Sequence, residues 1–156
     1  MVRFKNRWIL VEFLPAPGDP EPTRGAVELT GKHVWAALRQ SVIAHFGDTG
    51  WGAVGASLSV KYFSPTTNLC IVRVAREPYR IAWAAATLLS SIEGRPCIPN
   101  VVHVSGTIKH AQLAAIEHNR TVIARYRAKA NTPAAYQDSY ASYLETSTQE
   151  IESLQD

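Results

Sequence analysis

The four residues Trp8–Val11 are all apolar, and this run constrains the fold more than any other segment of the chain. A strand with this pattern presents hydrophobic side chains to both faces of a sheet, as strands inside a sheet do. Just before it the sequence alternates, so that Arg3, Lys5 and Arg7 share one strand face. Four prolines follow within eight residues and end the strand. The sequence therefore predicts a central strand over Phe4–Leu14.

Downstream, the three- and four-residue spacings typical of helices alternate with the two-residue periods typical of strands. Capping and turn residues indicate where each element begins and ends. The predicted elements are a helix from the N-cap Thr30 to Gly47, a loop over Asp48–Gly52, a hairpin of Ser57–Ser64 and Leu69–Ala75, a helix from Pro78 to Gly94, a strand over Ile98–Ser105, and a third helix that Ser105 or Thr107 caps and that ends near Lys129.

The order strand, helix, strand, strand, helix, strand is that of the split βαβ pattern. It predicts an α/β (α+β) fold of the ferredoxin-like class, with two helices on one face of a four-stranded antiparallel sheet and an additional C-terminal helix. Alternation places Ile9, Ile71 and Val101 on the other face, so we expect the third helix or a partner subunit to cover part of it. Trp35 and Trp83 lie on apolar helical stripes and are predicted to be core residues.

Charge divides the chain into two parts. Residues 1–129 contain all sixteen Lys and Arg residues and eight acids, whereas residues 130–156 contain five acids and no Lys or Arg. The first part is predicted to be one basic domain that attracts polyanions, because neutralised phosphates release condensed counterions. The second part is predicted to be an acidic, flexible tail. Tyr136, Tyr140 and Tyr143 leave open a short helix that forms only on a partner.

The residue types that support catalysis or metal binding are scattered along the sequence. His110 and His118 are two helical turns apart, too far to share a metal ion, and no carboxylate-rich or Cys-x-x-Cys cluster completes a site. Cys70 and Cys97 fall in predicted strands and are expected to be buried thiols. We therefore predict no catalytic residues, no bound metal and no cofactor in this chain.

Two basic elements are candidates for binding a polyanion. Arg3, Lys5 and Arg7 repel one another on a single strand face unless an anion or acids oppose them. The segment Ser105–Lys109 connects a predicted strand to a helix, where backbone N–H groups, a glycine and a lysine suit a phosphate. The same residues also suit an ordinary helix cap, and the sequence leaves both roles open.

Several separated motifs resemble one known family. The opening Val2–Glu12 has Val-Arg-Phe-Lys, then a basic residue, an aromatic residue and an apolar run, and it resembles the start of the Pop-five subunit of eukaryotic ribonuclease P and RNase MRP. The chain departs from that family at Trp8, where Tyr is usual, in the Pro-rich loop 15–25 and in the tail. The likeness covers residues 1–127 and continues through Val60-Lys-Tyr62, Ile71-Val-Arg73, Arg76, Tyr79, Trp83 and His103-Val-Ser-Gly-Thr-Ile108.

The resemblance implies a nuclear, largely nucleolar ribonucleoprotein subunit that performs no catalysis itself. In that family the RNA carries out the Mg²⁺-dependent hydrolysis that removes the 5′ leader of precursor tRNA, and a related RNA cuts precursor rRNA. The implied partners are the catalytic RNA, a small paralogous subunit and a TIM-barrel-like subunit, with precursor tRNA contacted indirectly and no membrane. The alternative is a protein–protein adaptor with only incidental RNA contact. The predicted RNA-binding residues are Arg3, Lys5, Arg7, Lys61, Arg73 and Lys109.

Overall fold

The computed structural model describes residues 5–18, 28–129 and 134–156, with side chains of the last segment from residue 139 onward. Arg3, most of the Pro-rich loop and the Tyr136 side chain lie outside the described residues. The described segments contain five strands and four helices, an α+β architecture. In chain order these are β1 (Asn6–Pro15), α1 (Gly31–Val54), β2 (Ser59–Ser64), β3 (Leu69–Ala75), α2 (Tyr79–Leu88), β4 (Ser91–Ile92), β5 (Arg95–Ser105), α3 (Ile108–Lys129) and α4 (Ala134–Glu152).

The strands form one antiparallel sheet in the order β2-β3-β1-β5-β4. β1 pairs with both β3 and β5, which confirms its predicted central position. β2 and β3 form the predicted hairpin. The predicted number of strands is wrong, because the short strand β4 pairs with the start of β5 and adds a fifth. The observed order therefore matches the split βαβ prediction only in outline.

One face of the sheet packs against α1 and α2. Ile9, Val11 and Phe13 of β1 are buried there together with apolar residues of both helices. The prediction that Ile9 and Val101 lie on the opposite face is wrong. Alternation alone cannot orient a strand that is apolar on both sides. A register shift between Leu10 and Val11 also brings Val101 opposite Val11, on the side of α1 and α2.

The other face of the sheet packs against α3 and α4. Trp8, Leu10 and Ile71 form a buried cluster there with Ala115 of α3 and Ile151 of α4. The predicted side of Ile71 is thus confirmed, and the cover that the sequence calls for is supplied by α3 together with α4. The burial of Trp8 on this face gives its ring a core role.

The segment predicted to be a flexible acidic tail instead contains α4, whose far end is held by specific contacts. The side-chain amide of Gln112 donates to the carbonyl oxygens of Ile151 and Leu154, each at 3.0 Å. Asn6 Nδ2 donates to Asp156 Oδ1 at 3.1 Å. The polar composition of this segment predicts solvent exposure, but the fully buried Ile151 attaches the helix to the sheet.

The first helix begins and breaks where the sequence predicts, but it then continues. Thr30 is the N-cap of α1, and its backbone N–H donates to His33 Nδ1 at 3.1 Å. Gly47, at φ +67°, interrupts the helix with a conformation that favours glycine. The following residues are helical rather than a loop. The helix changes direction at Gly47, and the Trp51 ring packs edge-on against the half-buried Trp35 ring, with ring centroids 5.7 Å apart.

The second helix is shorter than the sequence predicts. It ends at Leu88, and Ile92 lies in β4 rather than on the helix. Gly94, at φ +73°, occupies the turn between β4 and β5. Trp83 is 40% exposed, so its predicted place in the core is also wrong. The apolar residues after Leu88 lead into the short hairpin of β4 and β5 instead of extending the helix.

Candidate nucleic-acid interface

The start of β1 and the ends of β3 and β5 lie at the same end of the sheet, and this end carries a group of cations. β1 begins at Asn6 opposite Ala75, the last residue of β3, and Trp8 lies opposite Ser105, the last residue of β5. Helices α2 and α3 begin shortly after β3 and β5 end, so their first turns lie at the same end of the sheet. We call this group the basic end; it comprises Lys5, Arg7, Arg73, Arg76, Arg80 and Lys109.

Arg7 is the most firmly positioned cation of the basic end. Its guanidinium carbon lies 5.8 Å from the centroid of the Tyr79 ring, and Nη1 donates to the Asn6 carbonyl oxygen at 3.2 Å. A Cβ on Gly106 would approach Arg7 Nη1 to 3.2 Å, so the glycine leaves room for the guanidinium. A cation over an aromatic face is held electrostatically, which fixes the half-buried guanidinium before any ligand binds.

The remaining cations of the basic end differ in exposure. The backbone N–H of Arg76 donates to the Lys5 carbonyl oxygen at 2.9 Å, and both side chains are exposed. Arg80 and Lys109 are exposed in the first turns of α2 and α3, whereas Arg73 is half-buried opposite Trp8. The acids Glu77 and Asp156 also lie at this end. The six cations outnumber these two acids, so the surface favours an anionic ligand.

The turn between β5 and α3 is closed by its own side chains. Ser105 Oγ donates to the Thr107 carbonyl oxygen at 2.9 Å and accepts from the Thr107 N–H at 3.1 Å. The Thr107 hydroxyl accepts from the His110 N–H at 3.4 Å. Of the two roles that the sequence leaves open for this turn, the capping role is confirmed. The exposed Lys109 follows directly and adds a cation to the basic end.

The predicted RNA-binding residues do not all come together. Lys5, Arg7, Arg73 and Lys109 belong to the basic end. Lys61 instead lies in the middle of β2, where the pairing with β3 shifts register, and it is half-buried. Arg3 lies outside the described residues. The alternation of cations before β1 thus leads to the correct edge of the sheet, whereas Lys61 forms no part of the same surface.

Four residues that complete this edge are missed by reasoning from the sequence. Arg76 and Arg80 are not among the predicted ligands, and the sequence patterns assign Tyr79 and Trp83 no binding role. Their order along the chain is a usable signal, because aromatic residues alternate with arginines just after a strand that pairs with β1. The pairing of β1 with β3 places these residues at this end of the sheet, and no local sequence pattern predicts that pairing.

A second set of polar side chains is buried beyond the middle of β1. Glu12, only 5% exposed, places Oε1 3.4 Å from His118 Nε2 and accepts a hydrogen bond from Asn100 Nδ2 at 3.4 Å. The contact to His118 is long for a hydrogen bond, and within the described structure Nε2 has no hydrogen-bond partner. We call the set the buried polar cluster; it comprises Glu12, Tyr62, Ser64, Thr67, His118, Asn119 and Tyr143, with the exposed Asn100 at its margin.

The buried polar cluster attaches α3 and α4 to the sheet. Thr67 Oγ1 donates to Asn119 Oδ1 of α3 at 2.8 Å, and the Tyr143 hydroxyl of α4 hydrogen-bonds with Ser64. Burial, reinforced by the neighbouring Tyr143, raises the pKa of Tyr62. These partners are distant in sequence, so local patterns give no sign of the cluster. Most of its groups hydrogen-bond with one another inside the fold, which is a structural role, although His118 Nε2 and Asn119 Nδ2 have no hydrogen-bond partner among the described residues.

The groups that could support catalysis are buried or separated. Burial raises the pKa of the Cys70 thiol far above neutrality, so the sulfur stays protonated and is a poor nucleophile. Within residues 5–18, 28–129 and 134–156, no three His, Cys, Asp or Glu side chains come together as a metal site. The helices in these ranges all lack the combined length and apolar character of a membrane span. The clearest chemical capacity is therefore anion binding at the basic end.

Comparison with known proteins identifies relatives of this chain. The model of the Rpp14/Pop5 family matches residues 7–116. The ribonuclease P/MRP protein subunit POP5 of Schizosaccharomyces pombe is 44% identical over 131 residues, which cover 79% of this chain and 91% of that protein. The probable ribonuclease P/MRP protein subunit POP5 of Arabidopsis thaliana is 39% identical, over 75% of this chain and 78% of its own length.

A chain in the cryo-EM structure of yeast ribonuclease MRP has a similar fold. It aligns with a TM-score of 0.54 over 69% of this chain and 79% of its own length, at 13% sequence identity. At that identity the likeness concerns the fold alone. The family match and the relatives decide membership, because the matched segment extends from β1 into α3. The chain therefore belongs to the Rpp14/Pop5 family.

Proposed function

We propose that this protein is a non-catalytic, RNA-binding subunit of ribonuclease P and RNase MRP. The observation that carries the proposal is the basic end, where Arg7 is held between Tyr79 and Gly106 among five further cations. The relatives from S. pombe and A. thaliana, named as ribonuclease P/MRP protein subunits, support the choice of complex. RNA is the ligand because its phosphates match both the sign and the spread of this charge.

The basic end suits the sugar–phosphate backbone of a folded RNA. Guanidinium groups donate in a planar fork that fits phosphate oxygens, and Arg7, Arg76 and Arg80 supply three of them around one strand end. Lys5 and Lys109 add exposed point charges on either side. Phosphate contacts fix position and orientation without reading sequence. The protein accordingly stabilises a folded RNA rather than selecting a sequence.

In this proposal the RNA performs the cleavage and this chain supplies no reacting group. The Mg²⁺ ions belong to the RNA, which removes the 5′ leader of precursor tRNA or cuts precursor rRNA. The protein acts in the nucleus and nucleolus beside a small paralogous subunit and a TIM-barrel-like subunit. Within the chain, β1, α1, β2, β3, α2 and β5 correspond to a ferredoxin-like unit. The order of the four longer strands supports that correspondence.

The adaptor alternative needs a different surface from the one the sequence suggests. The sheet face on which it depended is covered by α3 and α4. One candidate is an open, largely apolar groove of about 790 Å³ between the start of α1 and edge strand β2. Trp35 and Leu58 line it, with Lys32 at its margin. Association through this groove would be insensitive to salt, unlike phosphate binding at the basic end.

Recovery of the tagged full chain from cells tests the proposed function. We expect the wild-type protein to co-purify with the RNA of ribonuclease P or RNase MRP, identified by sequencing. A variant with Lys5, Arg7 and Lys109 changed to Gln should recover less of that RNA. The matched control changes Lys32, Arg120 and Arg125 to Gln, three exposed cations outside the basic end.

Both variants have the same formal charge, so a difference between them reports position and not net charge. Recovery of the wild-type chain with protein partners but without RNA would support the adaptor alternative. Turnover of precursor tRNA by the purified protein alone would contradict a non-catalytic role.

A further inference from the structure

An aromatic pair on α2, the half-buried Tyr79 and the exposed Trp83, lies beside the basic end. The rings of Tyr79 and Trp83, one helical turn apart, are stacked with centroids 6.2 Å apart and planes inclined by 23°. Trp83 is 40% exposed, a large apolar area to leave in water. The two rings pack against each other, but much of the Trp83 ring stays in contact with solvent.

Cations surround this aromatic pair. The Arg7 guanidinium lies over the Tyr79 ring, at 5.8 Å from its centroid. Arg80 is exposed three residues before Trp83, so the two side chains neighbour each other on the helix surface. Arg76 precedes the helix and is exposed, with Glu77 as the acid beside it. The exposed tryptophan therefore lies in a positively charged surround, which is the composition of single-stranded nucleic-acid sites.

We propose that Trp83 is a stacking platform for an unpaired base of the RNA, with Arg7, Arg76 and Arg80 holding the adjacent phosphates. The inference rests on the proposed function and adds the class of RNA element that this edge binds. A base in a duplex has both faces covered by its neighbours, so the ring of Trp83 is available only to a nucleotide outside the stack. The site thus takes a single-stranded loop, bulge or end.

An RNA occupant fits this surface better than an apolar protein segment does. A protein that buried Trp83 would also remove Arg80, its neighbour on the helix, from water, which costs free energy unless acids are supplied. A nucleotide supplies an aromatic face and an anion together. The same contact therefore satisfies the ring and the cations, and the charge complementarity favours RNA.

Binding of two probes to the purified full chain tests the platform. The probes are an oligouridylate of about twelve nucleotides, which is unpaired, and an RNA duplex of about twelve base pairs. Trp83→Ala should weaken oligouridylate binding about 5- to 150-fold, the range expected for one stacked base. It should leave duplex binding and the salt slope unchanged, because every cation that neutralises a phosphate is still present.

Two further variants separate stacking from structural effects. Trp83→Phe keeps an aromatic face and should retain most of the affinity for oligouridylate, while the tryptophan fluorescence quenched by that RNA in the wild type is lost. Leu88→Ala removes a 51% exposed apolar side chain from the same helix and should change neither probe's affinity. Thermal unfolding of all three variants confirms that the fold persists.

Unchanged oligouridylate affinity in Trp83→Ala would overturn the stacking site. If the Lys5, Arg7 and Lys109 variant then loses affinity for both probes, the proposed RNA-binding function still stands. If Trp83→Ala loses a co-purifying protein while keeping RNA, Trp83 belongs to a protein interface and the inference is wrong. If the wild-type chain binds neither probe and recovers no RNA from cells, the proposed function fails as well.

Discussion

The two ends of β1 accommodate polar groups in opposite ways. At its start, Lys5 is exposed and Arg7 half-buried against an aromatic ring, whereas towards its end Glu12 is buried against His118 and Asn100. Cations that remain in contact with water can stay unpaired at little cost in free energy until an external anion binds. A buried carboxyl group instead needs partners inside the fold. One end of the strand is therefore expected to govern RNA binding and the other the stability of the fold.

The largest effects on stability are expected at the buried polar cluster and at the end of α4. His118→Ala removes the imidazole beside Glu12 and leaves a buried carboxyl group without that neighbour, which should lower the free energy of unfolding by about 3 kcal/mol. His110→Ala is the matched control, an exposed histidine on the same helix, and should change stability by less than about 0.5 kcal/mol. Urea unfolding of both variants measures the difference. Equal changes in the free energy of unfolding for the two variants would show that the Glu12–His118 pair does not stabilise the fold.

The next effect concerns α4, which contacts the buried polar cluster through Tyr143 and the start of β1 through its far end. Ile151→Ala should lower the free energy of unfolding by about 2–4 kcal/mol, because a fully buried side chain is truncated. Glu150→Ala, at an exposed neighbour, should have little effect. Urea denaturation again compares the pair. If both variants matched the wild type, α4 would not be docked in solution.

At the basic end the expected effect on stability is small and the effect on binding is large. Changing Lys5 and Arg7 to Gln should alter the free energy of unfolding by less than about 1 kcal/mol, since surface cations contribute little. The same variant should bind RNA more weakly than the wild type. His118→Ala, measured under conditions where it is folded, should bind RNA as the wild type does. Loss of RNA binding in His118→Ala alone would reverse the assignment of the two ends.

A further effect, confined to alkaline pH, is a dependence of stability on pH. Burial raises the pKa of Tyr62 in the folded chain above the value of about 10 that it has when unfolded. Below about pH 10 both states are protonated and the stability is complete; above it the unfolded chain loses its proton first, so stability falls as pH rises. Tyr62→Phe should flatten this decline, by roughly 1 kcal/mol per pH unit. Urea unfolding at about pH 9 and pH 11 measures the two slopes.

Much of the fold follows from sequence patterns because these patterns are local. The apolar run Trp8–Val11 predicts a central strand, and two-residue alternation predicts the hairpin of β2 and β3, both of which the structure confirms. The side to which Ile9 points is not predictable in the same way, since both faces of β1 are apolar. For α4, the spacing of Tyr136, Tyr140 and Tyr143 leaves open only a short helix that forms on a partner. The docked helix is not predicted, because a polar surface dominates its composition although Ile151 reaches the core.

The candidate interface is predictable only where it lies within one element. Alternation places Lys5 and Arg7 together at the start of β1, and the structure keeps them at one end of the sheet. Arg76 joins them through the pairing of β1 with β3, a contact between segments far apart in the sequence that no local spacing contains. A helical wheel places Trp83 among the core residues, but the buried face of α2 is formed by the small residues Ala82, Ala85 and Ala86.

The salt dependence of RNA binding tests the central claim most directly. We compare the wild-type chain, the variant with Lys5, Arg7 and Lys109 changed to Gln, and the control with Lys32, Arg120 and Arg125 changed to Gln. The plot of log K against log salt concentration should become shallower in the first variant, by about 0.7–0.9 for each phosphate that the protein no longer neutralises, and should keep its slope in the control. Equal slopes in all three proteins would contradict the assignment of RNA binding to the basic end.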